Sequence, residues 1–198
     1  MNQSIKLPHD AKIGLFGSAF NPPTLGHMSA ISSAINDHDL DCVFVTPSAS
    51  HAFGKNMAPF SDRLMMTQLA VSALSHELQN KIVLSTIELD ILAENPNRPV
   101  YSYLVLSKLR ETYSTQSIQL ILGPDNAIAS TFNRFWKHDE ISNEFGVIPL
   151  STSSGARSSE CRPLFSGLAD GSTHNMEFLE KNLNQDVLAY AIKNKIYS

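Results

Sequence analysis

Cysteine is scarce: Cys42 and Cys161 are the only 2 in 198 residues, and neither stands in a CxxC or Cys/His ligand spacing. That excludes a disulfide scaffold and implies no structural zinc site, and it suits a reduced, cytoplasmic chain better than a secreted one. Long apolar runs are missing as well. No stretch approaches the ~20 apolar residues of a membrane span, and the opening MNQSIKLPHDAK has no signal-peptide core, so a soluble chain without a membrane partner is expected. There is no basic excess either: 15 Lys and Arg against 19 Asp and Glu leave a net charge of −4. Nucleic acid is therefore not an expected partner. Any anionic ligand must be held by local features, against the overall charge.

With 42% hydrophobic and 17% charged residues, the chain reads as one domain, 1–198, able to bury roughly 70% of its unfolded surface without metal or disulfide. Short apolar runs read as strands covered on both faces: Lys12–Phe16, Cys42–Thr46, Lys81–Leu84, Ile118–Leu122 and Gly146–Leu150. Helical spacing fills the gaps. Residues 62–74 put Leu64, Met65, Leu69 and Ala73 on one stripe, and residues 101–110 do so with Tyr101, Leu104, Val105 and Leu109. Such alternation predicts an α/β fold: a Rossmann-like, doubly wound parallel sheet of about five strands with helices on both faces. Ligands of such folds bind at the strands' carboxyl ends, where strand order reverses. Residues 1–11 read as an N-terminal extension, and 151–198 as a serine-rich connector and helices from about Met176 to Lys195, packed on the same domain.

The most informative segment is GLFGSAFNPPTLGH, Gly14–His27, directly after the first expected strand. Gly14 and Gly17 permit close backbone approach and positive φ, and Pro22-Pro23 forbids helix until the chain has turned. A helix can then begin at Thr24 to Gly26, its first turn offering free N–H groups and a positive dipole end to an anion, with His27 beside it. The spacing matches neither the GxGxxG dinucleotide fingerprint nor the GxxxxGK[ST] phosphate loop. A glycine-containing strand-to-helix turn is common by itself, and a histidine near one is often structural.

The segment resembles the T/HxGH signature of the nucleotidylyltransferase superfamily, in the long form found in nicotinate- and nicotinamide-mononucleotide adenylyltransferases, with Thr24-Leu25-Gly26-His27 as the TxGH version. Further blocks follow in the family's order. PSASHAFGKNMAPFSDRLMMTQLA, Pro47–Ala70, resembles the loop and helix in which Lys55 contacts phosphate, Arg63 orders the loop through a carboxylate such as Asp62 or Asp90, and Met65 and Met66 are core residues. Arg98–Ser102 resembles the PSYT element at the nicotinate end, with Tyr101 and Ser102 also capping the next helix. LILGPDN, Leu120–Asn126, resembles IIGxD: Gly123 lets the nucleotide lie against backbone, while Asp125 accepts from ribose, N-caps the following helix, or both. Phe135 or Trp136 falls where the family stacks an aromatic on the pyridine ring, though either could serve the core. Two registers compete for the hydroxyl-rich ISSTxxR block, one ending at Arg157 and one at Arg162. The second, with Ser158 and Ser159, continues better into Leu164 and Phe165, and VLAYAIKNKIYS resembles the family's closing helix.

The resemblance implies adenylyl transfer from ATP to nicotinic acid mononucleotide, giving deamido-NAD and pyrophosphate. Thr24, His27, Lys55 and Arg162 would serve catalysis, and Gly14, Phe16, Gly17, Ser18, Phe20, Gly26, His27, Gly123, Asp125, Ser158, Ser159 and Arg162 would hold ATP. Lys55, Tyr101, Ser102, Phe135 and Trp136 would hold the mononucleotide, with Mg²⁺ bound through the ATP phosphates rather than a protein metal site. Thr24 stands where these enzymes usually carry the first histidine of HxGH, and one glycine of FGGSF is replaced. Another phosphate acceptor, such as nicotinamide mononucleotide or phosphopantetheine, and a nucleotide-binding protein of reduced activity are the alternatives. A homo-oligomer is compatible with the sequence.

Overall fold

Five short strands form one parallel sheet: β1 (Ile13–Ser18), β2 (Cys42–Pro47), β3 (Ile82–Leu84), β4 (Ile118–Leu122) and β5 (Val147–Pro149), in the spatial order β3-β2-β1-β4-β5. The computed structural model describes residues 7–8, 10–50, 57–114, 117–151, 155–168 and 171–197. From β1 the chain builds outward through β2 and β3, then returns to lay β4 on the other side of β1, so the order reverses between β1 and β4. The carboxyl ends of those two strands, at Ser18 and Leu122, frame the crevice where such a sheet takes ligands.

Alternation at period two sends successive side chains of each strand to opposite faces. Ile13, Leu15, Cys42 and Phe44 join Val105, Leu106 and Leu109 in one apolar cluster, while Phe16, Val43 and Val45 join Ile31, Met66, Leu179 and Val187 in the other. Helices α1 (Leu25–Asp37), α2 (Phe60–Ser72), α10 (Thr173–Asn182) and α11 (Gln185–Lys193) contribute to the second face. The first face takes α4 (Ile87–Glu94) and α5 (Ser102–Tyr113). Short helices α3 (His76–Asn80), α6 (Pro124–Ala127), α7 (Ala129–Phe132), α8 (His138–Glu140) and α9 (Ser158–Cys161) complete the connections. Asn184 separates α10 from α11 by capping the latter, its Oδ1 accepting from the amides of Asp186 and Val187.

Three sequence expectations change here. The inward stripe of α2 is Arg63, Met66, Thr67 and Ala70, offset from the expected 64/65/69/73 set, and Met65 is 42% exposed rather than a core residue. The offset arises because a buried polar residue, Arg63, occupies the inner face, which a hydrophobic pattern cannot register. Asp125 does not cap α6: Gly123 holds the N-cap position and Asp125 lies in the first turn, with no side-chain cap bond. Tyr101 does stand at the N-cap of α5, which begins at Ser102, but its side chain makes no cap bond.

Gly14 is a packing glycine in the strand rather than part of a phosphate turn. A Cβ there would meet Ile121 Cδ1 and, at 2.9 Å, Leu40 Cδ1, both in the second core. Gly14→Val is expected to cost about 2 kcal/mol by overpacking, with ATP affinity unchanged. Thermal melting and a nucleotide titration on the variant check both halves of that expectation.

Candidate active site

β1 delivers Gly17 and Ser18 to the crevice, and the chain then turns sharply. Phe20 adopts φ 46°, a left-handed conformation rare outside glycine, with its ring fully buried. Asn21-Pro22 is a cis peptide, and Asn21, Pro22, Pro23 and Thr24 are all buried. Extended backbone at Thr24 makes it the N-cap of α1, which begins at Leu25. The His27 amide already donates to Thr24 O at 3.0 Å, and the amides of Leu25 and Gly26 precede it in the first turn.

His27 is the third residue of α1, and its ring folds back on the cap. Nδ1 accepts the Thr24 backbone N–H at 3.1 Å, and Thr24 Oγ1 lies 2.9 Å from the same nitrogen. A peptide N–H can only donate, so Nδ1 carries no proton and Nε2 carries one. That Nε2–H faces Ser18 Oγ at 3.1 Å. Phe16 and Phe20 pack on the imidazole, with centroids 6.4 and 5.0 Å away. Burial pushes the His27 pKa down to about 4. Without ligand His27 is therefore a neutral donor at physiological pH and adds no positive charge to the crevice.

Four side chains from distant segments fasten the turn. Arg63, 1% exposed, donates from Nε to Ala58 O at 2.9 Å and from Nη1 to Ala19 O at 2.8 Å. Its partners are backbone carbonyls rather than the expected Asp62 or Asp90 carboxylate; Asp62 instead accepts from Tyr190 Oη at 2.9 Å. Arg162 Nη1 donates to Asn21 O at 2.7 Å and Ser158 Oγ to Pro22 O at 2.6 Å. Tyr197 Oη donates to Asn21 Oδ1 at 2.9 Å. The Ser158/Arg162 register thus meets the turn, whereas Arg157 N-caps α9 and reaches Asp125 at 2.6 Å. Part of the competing register, residues 152–154, lies outside the described residues, as does Lys55.

Beyond β4, Gly123 and Asp125 stand at the crevice's other wall, and the Asp125–Arg157 ion pair spans the two sides at its exposed rim. Farther along the first face is a cavity of about 350 Å³ lined by Ile91, Asn95, Arg98, Pro99, Tyr101, Leu104 and Trp136. Trp136, 43% exposed, lies against Tyr101 with centroids 5.2 Å apart and edge-on to Tyr103. Phe135 is half-buried and packs against the first core with Phe132. Of the two aromatics, only Trp136 borders the cavity. Asn21 and Tyr197 escaped notice as site residues, although both stand inside segments that carry the family pattern.

A doubly wound parallel sheet with an amide-lined helix start and a histidine at its switch point defines a Rossmann-like nucleotide-binding fold. Residues 15–163 match the family described as Cytidylyltransferase-like, and the chain belongs to that family. It is 43% identical over 63 residues to a probable nicotinate-nucleotide adenylyltransferase of Anaeromyxobacter sp. (strain K), a match covering 32% of this chain and 34% of that one. A protein of the same description from a Nitratiruptor species is 26% identical over 132 residues, 67% of this chain and 68% of the relative. Among solved structures, a putative nicotinate-nucleotide adenylyltransferase from Vibrio parahaemolyticus superposes with TM-score 0.70 at 26% identity, covering 94% of this chain and 95% of that one. The fold is shared with Plasmodium falciparum nicotinic acid mononucleotide adenylyltransferase complexed with NaAD, at TM-score 0.73 and 17% identity over 94% and 97% of the two chains.

The second-block loop is anchored at its start by a buried acid. Glu88, 6% exposed, accepts the Ala49 N–H on Oε2 at 2.8 Å. Burial raises its pKa to about 7, opposed by the Ala49 bond and the nearby Arg63 charge. A carboxyl raised in the folded state stabilises it fully below the unfolded value and loses that contribution as pH climbs through the folded one. Between about pH 4.5 and 7 the native chain therefore holds a proton that the unfolded chain has released. Glu88→Gln, which cannot ionise, is expected to gain Tm relative to the unsubstituted protein at pH 8 compared with pH 5. Melting curves at the two pH values measure the difference.

Proposed function

We propose that the chain is a nicotinate-nucleotide adenylyltransferase, moving AMP from ATP to nicotinic acid mononucleotide in NAD biosynthesis. One observation carries the reading: His27 is locked by Thr24 as a neutral Nε2–H donor beside Ser18, at the amide-lined start of α1. The names of relatives that match over up to two thirds of the chain support it.

An oxygen of the mononucleotide phosphate attacks the α-phosphorus of ATP. The new P–O bond forms while the bond to the pyrophosphate oxygen breaks, and no protein nucleophile or general base is required because the attacking group is already an anion. Alignment and charge stabilisation supply the rate. The His27 Nε2–H, Ser18 and the α1 amides receive the α-phosphoryl oxygens, and Thr24 orients the imidazole. Arg162, reaching the turn beside Ser158 and Ser159, and Lys55 take the remaining phosphates. Gly17, Phe20, Gly26 and Gly123 line the nucleotide's path, and Asp125 exchanges Arg157 for the ribose. Tyr101, Ser102 and Trp136 border the pyridine end, where Arg98, the charged residue among the described residues lining the cavity, favours a ring bearing a carboxylate.

Among the described residues no three His, Cys, Asp or Glu side chains gather to hold a metal. Mg²⁺ would be carried on the triphosphate with its own waters, where it would neutralise phosphate charge. Both thiols are buried and held protonated by burial, Cys42 pushed up to about 12 and Cys161 to about 11.

Incubation with ATP, Mg²⁺ and either nicotinic acid or nicotinamide mononucleotide should release pyrophosphate faster with the acid. Absence of release with both sinks the reading. His27→Ala is expected to lower kcat about 100-fold, the scale of one lost transition-state donor, with Tm nearly retained. Trp136→Ala is expected to raise KM for the mononucleotide about tenfold, the scale of an aromatic stacking contact, with KM for ATP unchanged. Steady-state kinetics on the two variants read these outcomes.

A further inference from the structure

Tyr197 has no part in the chemistry above, yet its hydroxyl ends inside the nucleotide turn. Four residues past α11 the chain folds back, and the Tyr197 ring packs on Phe165 with centroids 5.1 Å apart. Its Oη donates to Asn21 Oδ1 at 2.9 Å, a contact 176 residues long in sequence. The acceptor is 3% exposed and already takes the Ala58 N–H at 3.2 Å, while the carbonyl of the same residue takes Arg162 Nη1 at 2.7 Å. Asn21 is thus the point where the turn, the base of the second block and the phosphate-facing arginine meet. Arg63, Arg162 and Asp62 surround the phenol, and burial keeps it protonated, so it is a donor throughout the working pH range.

We propose that Tyr197 is a positioning residue for ATP: by fixing the Asn21 side chain it fixes the Asn21 carbonyl, and through that carbonyl the direction in which Arg162 meets the triphosphate. The inference rests on the adenylyltransferase reading, in which Arg162 contacts ATP. A second tyrosine supplies the control. Tyr190 on α11 also donates one hydrogen bond, to Asp62 on α2 at 2.9 Å, and ties the same C-terminal segment to the domain without touching the turn. If these hydroxyls were only glue, removing either would have the same effect on ligand binding.

Tyr197→Phe keeps the ring on Phe165 and leaves Asn21 Oδ1 with its Ala58 partner, so the variant folds. Calorimetric titration with Mg-ATP and, separately, with nicotinic acid mononucleotide should be run on the unsubstituted chain, Tyr197→Phe and Tyr190→Phe, with a melting curve for each. The expected result is about fivefold weaker ATP binding for Tyr197→Phe, within the range of one neutral hydrogen bond, with mononucleotide affinity unchanged. Tyr190→Phe should bind both ligands as the unsubstituted chain does while losing a similar amount of Tm. Unchanged ATP affinity in Tyr197→Phe overturns the proposal, and so does equal weakening in both variants. Failure of the unsubstituted chain to bind ATP at all overturns the adenylyltransferase reading and this inference with it.

Discussion

Buried carbonyl groups must find donors, and the turn between β1 and α1 presents several of them where no secondary structure can pair them. Ala19 O takes Arg63, Asn21 O takes Arg162, Pro22 O takes Ser158, and the Asn21 amide oxygen takes Tyr197 and the Ala58 N–H. The donors come from residues 58 to 63, 158 to 162 and 197, so satisfying one short loop ties three separate parts of the chain to the sheet's switch point. Left unpaired, such groups would each cost on the order of 1–3 kcal/mol. The C-terminal helices thereby become part of the site rather than an appendage, and their packing on Phe16, Ile31 and Met66 holds the donors in place.

The same economy governs charge. A chain with net charge −4 cannot rely on its overall field to hold a triphosphate, and the crevice carries fewer resident cations than its basic and histidine residues suggest. His27 is neutral, Arg63 is spent on two carbonyls, and Arg157 is matched by Asp125. Beside Arg162, itself bonded to the Asn21 carbonyl, the described residues of the turn offer dipoles: amides at the start of α1, a histidine N–H and a hydroxyl. Such groups are preorganised by the fold and need little reorientation when charge develops on a phosphoryl oxygen. Thr24 fits this arrangement, since its hydroxyl and amide face the imidazole and set its tautomer.

Much of this was legible in one dimension. The inner strands are buried and the half-buried edge strands β3 and β5 are short apolar runs, so none has a polar alternation to confuse it; all five were found within a residue or two, and their alternation with helices specified the parallel sheet. The NPPTLGH stretch announced its own turn and helix start because proline and the cap residue act locally. Position-specific packing was not legible. Gly14 and Gly17 look alike in GLFGS, yet one lies under Ile121 and Leu40 and the other opens on the crevice. Likewise Met65 and Met66 share a composition and differ wholly in burial.

The sequence by itself determined the fold class, the turn after β1 and the start of the helix that follows it, because propensity, period and local turn chemistry act between neighbours. Only the tertiary structure decided what those residues do before a ligand arrives. Whether a histidine is charged depends on what buries it, whether an arginine is free depends on which carbonyls need it, and those partners lie up to 141 residues away. Solvation and hydrogen-bond completion are properties of the assembled interior, so the neutral His27, the carbonyl-bound Arg63 and the reach of Tyr197 into the turn appear only once the chain has closed upon itself.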